Sequence, residues 1–467
     1  MLPRCEALRD RSMPVEKKHT EMVEMEGQQS RRSIGRWYIL GLICLMYLIT
    51  YLDRVNISTA APVISKEFGF DKITMGVIFS AFVWAYALFQ VPGGWLSDRF
   101  GPRPVLTTIV AYWSVMTALT AAATGAVSFV VMRFLFGIGE AGAFPGATRS
   151  MQLWYPREER GLVQGLTHSA SRLGAAIAPP LVVFLMTNWG WRSAFYVCGA
   201  IGLVWSFWWY VSYRNLPEEH PMVNQAELKH IRGEDSEGVI KQAAVERKAA
   251  SVPWSTLLRS PNMWAIMCAY FTYVYCLWIF LSWLPSYLVE YRNFTLLKVG
   301  LLASLPLFAG VLGDTVGGVA TDWLLKKTGN TKFARRSVAI VGLLGCCIFI
   351  VPAALTSDAY TAVYCLTASM FFLECTIGPS WAVPMDTGGK YSGTVSGMMN
   401  MAGNIGGAIS PLVFGVLVQY GNWQAPFIVA AVLLVIGAGI WAFWLDPDRS
   451  VLDAPDALPV LRPEHGP

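Results

Sequence analysis

The sequence predicts an all-α integral membrane protein: twelve transmembrane helices in two pseudo-symmetric six-helix bundles. Three observations carry that expectation. Of 467 residues, 54% are hydrophobic and only 14% charged, against roughly 25% charged in soluble domains. The apolar residues collect in twelve stretches, each near the roughly 20 residues that cross a bilayer. Landmarks in the first six stretches then recur in the last six.

Residues 1–33 are polar and mixed in charge, and read as a disordered cytoplasmic tail. The apolar run that follows is too long for a signal-peptide core and contains charges, so no cleavage is expected. Spans are predicted over 37–64, 73–96, 104–124, 127–150, 160–186 and 191–213, which make an N-terminal bundle over 34–213. Residues 214–260, with Glu218, Glu219 and the charged run at 234–237, read as a central cytoplasmic loop holding one amphipathic helix. The second set, 262–288, 298–323, 335–356, 360–386, 391–419 and 423–445, makes a C-terminal bundle over 261–445, and 446–467 is a second cytoplasmic tail.

Orientation follows from lysine and arginine, which stay on the cytoplasmic side of short loops. They lie in the N-terminal tail (Arg31, Arg32, Arg36) and in the second, fourth, sixth and eighth connections (Arg99, Arg103; Arg157, Arg160; Lys241, Arg247, Lys248; Lys326, Lys327, Lys332, Arg335, Arg336). The connections at 124–128, 187–190, 357–359 and 420–422 carry none. Both termini are therefore expected in the cytoplasm of a cell with the chain in its inner (plasma) membrane. The same distribution explains the net charge of +5 without nucleic acid. Eight of nine cysteines fall in apolar runs without zinc-ligand spacing, so buried, inert thiols are expected.

The halves repeat. Gly174, Ile177 and Pro179 recur as Gly406, Ile409 and Pro411, and Trp191 and Phe195 as Trp423 and Phe427, at one offset. Glu140 and Pro145 are echoed by Glu374 and Pro379, and Gly94 and Asp98 by Gly318 and Asp322. A parallel six-span repeat places a transporter's site at the interface of two bundles.

Charges inside these spans are the informative residues, because each must be met by a partner. On a helix Tyr47, Thr50, Tyr51, Arg54 and Ser58 form one polar stripe. Asp53 is rotated by ~100° from Arg54, so the two need separate partners. In the fourth span Arg133, Gly137 and Glu140 share a face, and in the fifth His168 and Arg172 do. Asp53 with Arg133, and Glu140 with a neighbouring cation, are the expected pairings. An arginine among tyrosines and hydroxyls suits a carboxylate ligand. Trp381, Asn400 and Asn404 are polar or amphipathic groups in otherwise apolar spans and can bind the hydroxyls of a sugar acid. Glu374 and Asp314 read as helix-packing partners within the repeat.

The connection Gly94-Trp95-Leu96-Ser97-Asp98-Arg99-Phe100-Gly101-Pro102-Arg103 resembles the loop motif of the major facilitator superfamily. There Gly94, Asp98, Arg99, Gly101 and Arg103 would form a cytoplasmic gate latch, outside the substrate site. Tyr51 to Asn56, Phe136 to Pro145, and Trp154-Tyr155-Pro156 with Arg160-Gly161 are similar to the anion:cation symporter family. Its carriers of galactonate, glucarate, hexuronate and phthalate are the nearest in pattern, and the likeness runs from Arg36 to Trp444. What the resemblance implies is proton titration at Asp53 and Glu140, and carboxylate binding at Arg54 with Tyr51, Tyr86, Trp381 and Asn400. Where such carriers have a glutamine in the fifth span, this chain has His168-Ser169-Ala170-Ser171-Arg172, and the residues themselves add Arg133 to the coupling group and His168 and Arg172 to the binding group.

The expected function is import of a small carboxylated organic anion by proton symport and alternating access. A sugar acid (an aldonate, aldarate or hexuronate) is the leading candidate. The alternatives are a proton-coupled exporter of organic acids or drugs, uptake of an aromatic carboxylate such as phthalate, and an anion sensor. The chain has no nucleophile triad, phosphate loop or metal cluster, so no enzyme and no cofactor are expected. Its partners are the anion, protons and the bilayer, with the protein acting as a monomer.

Overall fold

A computed structural model describes residues 33–156, 159–232 and 254–452. Residues 1–32 and 453–467 of the expected tails and the basic residues Arg157, Lys241, Arg247 and Lys248 lie outside the described residues, as do the side chains of Asp98 and Arg160. Residues 446–452, expected to belong to the second tail, instead pack on the second half: Asp446 pairs with Lys332 at 2.7 Å and Val451 is fully buried.

The first half comprises α1 (Gly35–Phe68), α2 (Lys72–Phe100), α3 (Pro102–Thr120), α4 (Ala126–Glu140), α5 (Ala143–Trp154), α6 (Arg160–Trp189) and α7 (Trp191–Ser212). The described residues of the central interval form two short helices, α8 (Gln225–Arg232) and α9 (Trp254–Arg259), where one was expected. The second half holds α10 (Pro261–Ser286), α11 (Leu296–Leu302), α12 (Ser304–Thr328), α13 (Thr331–Leu355), α14 (Ala359–Glu374), α15 (Ile377–Gly388), α16 (Ser392–Gln419) and α17 (Ala425–Gly439). Among the described residues, eleven helical spans are long and apolar enough to cross a membrane. The expected third span, α3, is the one below that apolarity, with its Arg103 and its row of threonines and serines.

Three spans are broken, and each break has the same cause. A proline inside a helix clashes with the carbonyl four residues earlier. Pro145 acts on Ala141, Pro306 on Leu302 and Pro379 on Cys375, and the chain leaves helical form at or beside each. The result places Glu140 as the last residue of α4 and Glu374 as the last residue of α14.

Small residues let the helices close on one another. A Cβ at Gly174 would overlap the carbonyl oxygen of Leu48, which fixes α6 against α1, and one at Gly137 would overlap that of Phe82, which fixes α4 against α2. Between the halves, α2 packs on α16, α6 on α11 and α12, and α1 on α10. These contacts tighten at the end opposite the start of α1. There Ser80 donates to the Ala408 carbonyl at 2.5 Å, Trp283 Nε1 donates to that of Pro411 at 3.1 Å, and Lys72 pairs with Glu290. Asp71 caps α2 by accepting from the Thr74 amide at 2.8 Å.

Candidate functional site

The polar stripe on α1 faces inward and meets the break between α4 and α5. Arg54 Nε donates to Glu140 Oε1, and both side chains are buried. The guanidinium carbon lies 4.6 Å from the ring centre of Tyr86, 4.7 Å from Tyr51, 5.4 Å from Phe82 and 5.6 Å from Phe144. A guanidinium is weakly hydrated and stacks on aromatic faces, so these rings replace part of its lost water. The pair is not saturated. Arg54 Nη2 and Glu140 Oε2 are buried without a hydrogen-bond partner among the described residues.

Asp53, turned to the other side of α1, accepts from Trp113 Nε1 of α3 at 3.2 Å, and its second oxygen has no partner among the described residues. The expected Asp53–Arg133 ion pair is not formed. Arg133 lies flat between Phe82 and Phe136, 4.8 and 4.7 Å from their ring centres, while Trp113 occupies the carboxylate. Helical periodicity placed Arg133 at the right depth. The rotation of α4 against α2, set by the close contact at Gly137, turned it onto the phenylalanines.

A second buried ion pair joins the halves. Arg172 of α6 reaches Glu374 Oε2 of α14, at 3.0 Å from Nη2 and 3.1 Å from Nε. Its Nη1 donates to the Tyr51 hydroxyl at 3.2 Å and its Nη2 to that of Tyr273 at 3.3 Å, and Tyr273 in turn donates to Glu374 at 3.1 Å. Glu374, expected as a helix-packing partner, is fully buried and does tie α14 to α6, with Arg172, a candidate binding residue, as its counterion. Its signal in the sequence was its correspondence to Glu140.

The other candidates line the same region. His168 sits among Tyr47, Phe144 and Trp381, with ring centres 6.0 to 6.1 Å away, edge-on to the tyrosine and tilted to the other two. Trp381 Nε1 donates to the Tyr270 hydroxyl at 3.1 Å. Asn400 Nδ2 donates to Gln90 Oε1 at 3.2 Å, which ties α16 to α2, and Asn404 donates to the Asn400 carbonyl. Gln90, Tyr270, Tyr273, Phe144 and Trp113 were not singled out from the sequence. Each is an ordinary residue of an apolar helix until a neighbour gives it a role.

The loop motif lies apart from this cluster. Gly101 takes a φ of +83°, open to glycine, and packs on Asn215. Arg103 donates through Nε and Nη2 to the Tyr210 carbonyl at 3.0 and 2.9 Å, Arg99 stacks on Trp95 and Phe100, and Gly94 rests on Pro145. In the second half Arg335 bridges Asp322 at 3.1 Å and Asp386 at 3.2 Å.

Residues 43–411 and 390–462 match the profile of the Major Facilitator Superfamily. The chain is 46% identical to the "Probable sulfoacetate transporter SauU" of Cupriavidus necator, over 90% of this chain and 96% of that one. It is 34% identical to the "D-galactonate transporter" of Escherichia coli O6:H1, over 86% and 93%, and 34% identical to the "Probable galactarate/D-glucarate transporter GudP" of Bacillus subtilis, over 83% and 87%. Among solved structures, a D-xylose-proton symporter matches with a TM-score of 0.70 at 15% identity, over 88% of this chain and 98% of that one, which shows the fold alone. With the broken spans and the six-plus-six repeat, these matches mean that the chain is a multi-pass membrane transporter belonging to the Major Facilitator Superfamily, alongside its carriers of sugar acids and other organic anions.

Proposed function

We propose that this protein imports a small carboxylated organic anion by proton symport, with the Arg54–Glu140 pair as the coupling device. The observation that carries the proposal is a buried arginine held by a glutamate at a helix break, with one donor unsatisfied and two tyrosines stacked on it. The carboxylate of Glu140 occupies the arginine as a substrate carboxylate would. Protonating Glu140 removes that competitor and frees Arg54 for the anion. Proton and anion binding then favour one another, and linkage makes that favour mutual. Asp53 and Arg133, close by on α1 and α4, tune the charge of the cluster.

The names of the relatives support a short organic acid such as sulfoacetate, or a sugar acid such as galactarate, glucarate or galactonate. In a sugar acid, Trp381, His168 and Asn400 take the hydroxyl-bearing part, and Tyr51, Tyr86 and Arg172 complete the pocket. The two six-helix bundles, 34–213 and 261–445, rock about this site, and Gly94, Asp98, Arg99, Gly101 and Arg103 latch the cytoplasmic side. The protein acts as a monomer in the inner membrane, with both termini in the cytoplasm.

The test is uptake of radiolabelled sulfoacetate, glucarate and galactonate into proteoliposomes under an inward proton gradient. At least one accumulates against its gradient, collapse of the proton gradient stops it, and Arg54→Ala abolishes it. Normal accumulation by Arg54→Ala would remove the assignment.

A further inference from the structure

Two arginines, rather than one, bound the space around Tyr51. The Arg54 and Arg172 guanidinium carbons lie 4.7 and 5.5 Å from the centre of that one ring, so their separation cannot exceed the sum of those distances. Both are buried, and each is neutralised by its own glutamate. The two glutamates are counterparts: Glu140 ends α4 and Glu374 ends α14, each directly before a proline-induced break. Each also keeps one carboxylate oxygen, Glu140 Oε2 and Glu374 Oε1, without a partner among the described residues. A buried ion pair adds little stability over a well-packed apolar pair, because both charges must first be stripped of water. Support alone is therefore a weak reason for an arginine and a glutamate beside the first pair.

We propose that Arg172 and Glu374 form a second anion subsite, so that the substrate is an organic dianion with a charged group at each end. This rests on the transport reading above and narrows its substrate class. Arg54 takes one head and Arg172 the other, and the second head displaces Glu374 as the first displaces Glu140. The hydroxyls of Tyr51 and Tyr273, already hydrogen-bonded to Arg172, remain to hold the guanidinium in place during the exchange. Glu374 faces the Tyr273 hydroxyl, and Asp314 on α12 is the other acid whose charge acts on the same arginine. Because Arg172 and Glu374 come from different halves, the exchange also replaces a tie within the protein by one through the substrate.

The experiment is a thermal-shift titration of the purified full-length protein with two matched pairs, sulfoacetate against acetate and glucarate against gluconate. Each pair differs by one anionic head. In the wild type the dianion of at least one pair half-saturates at a concentration about tenfold or more below its partner. Arg172→Gln raises that value to the level of the monoanion, whereas Glu374→Gln lowers it. Equal responses to dianion and monoanion in the wild type, or an Arg172→Gln protein that still prefers the dianion, overturn the proposal. So does a Glu374→Gln protein that binds the dianion no better than the wild type, and that variant decides the matter if Arg172→Gln does not fold. A wild type stabilised by monoanions alone overturns the second subsite while leaving the transport reading intact. No response to any of the four overturns both.

Discussion

Replacing Glu140 with glutamine mimics its protonated form and isolates the coupling device. The wild-type contact from Arg54 Nε to Glu140 is a hydrogen bond between charged groups, a class worth about 1.5–3 kcal/mol. A glutamine at 140 still offers a carbonyl oxygen, and a neutral acceptor of that kind recovers about 1 kcal/mol. The competitor the substrate must displace is then weaker by roughly 0.5–2 kcal/mol, which is about 2- to 30-fold in affinity. Arg54 keeps its four aromatic neighbours, so the variant folds. Isothermal titration with the transported anion shows tighter binding in Glu140→Gln than in the wild type above neutral pH. Wild-type affinity rises as pH falls, because proton and anion binding are linked, and the variant is flat over the same range. In vesicles it exchanges labelled for unlabelled anion yet no longer accumulates it under a proton gradient. A folded Glu140→Gln protein that binds more weakly, or keeps the wild-type pH dependence, refutes the reasoning.

Gly174→Val drives a side chain into the Leu48 backbone and lowers stability by about 1–3 kcal/mol or more, read as a lower melting temperature in detergent. Cysteines at positions 72 and 290, where Lys72 and Glu290 now pair between the halves, react with a short bifunctional maleimide, and the cross-linked protein loses uptake while the same double-cysteine protein without the reagent retains it. If uptake persists with the link formed, that end does not open during transport. Asp71→Ala removes the cap of α2 and costs about 1 kcal/mol. The hydrogen bond from Thr74 holds the Asp71 carboxyl below its ordinary value of 3.8, so the stabilisation is complete above that value and fades as pH falls through the lower folded-state value. The difference in melting temperature between wild type and Asp71→Ala therefore narrows only in acid. A gap that is constant down to pH 2 counts against the cap.

The sequence alone determined that this chain crosses a membrane many times, that its halves repeat, and which residues have to matter. Those conclusions need only energies local to a segment: the length of an apolar run, the cost of a charge within it, the spacing of a helical face. They sufficed to single out Arg54, Glu140 and Arg172 as candidates, and the structure holds all three in buried ion pairs. The choice of partner was decided by tertiary structure. Arg54 meets a glutamate 86 residues away and Arg172 one 202 residues away. Asp53, expected to face Arg133, is held by a tryptophan from a third helix. A helix rotated by a fraction of a turn presents a different residue, and that rotation is fixed by contacts such as Gly137 on Phe82 and Gly174 on Leu48, between segments far apart in the chain. Glu374 shows the boundary. Its correspondence to Glu140 was legible from the repeat, but its role depended on which helix of the other half came to rest against it.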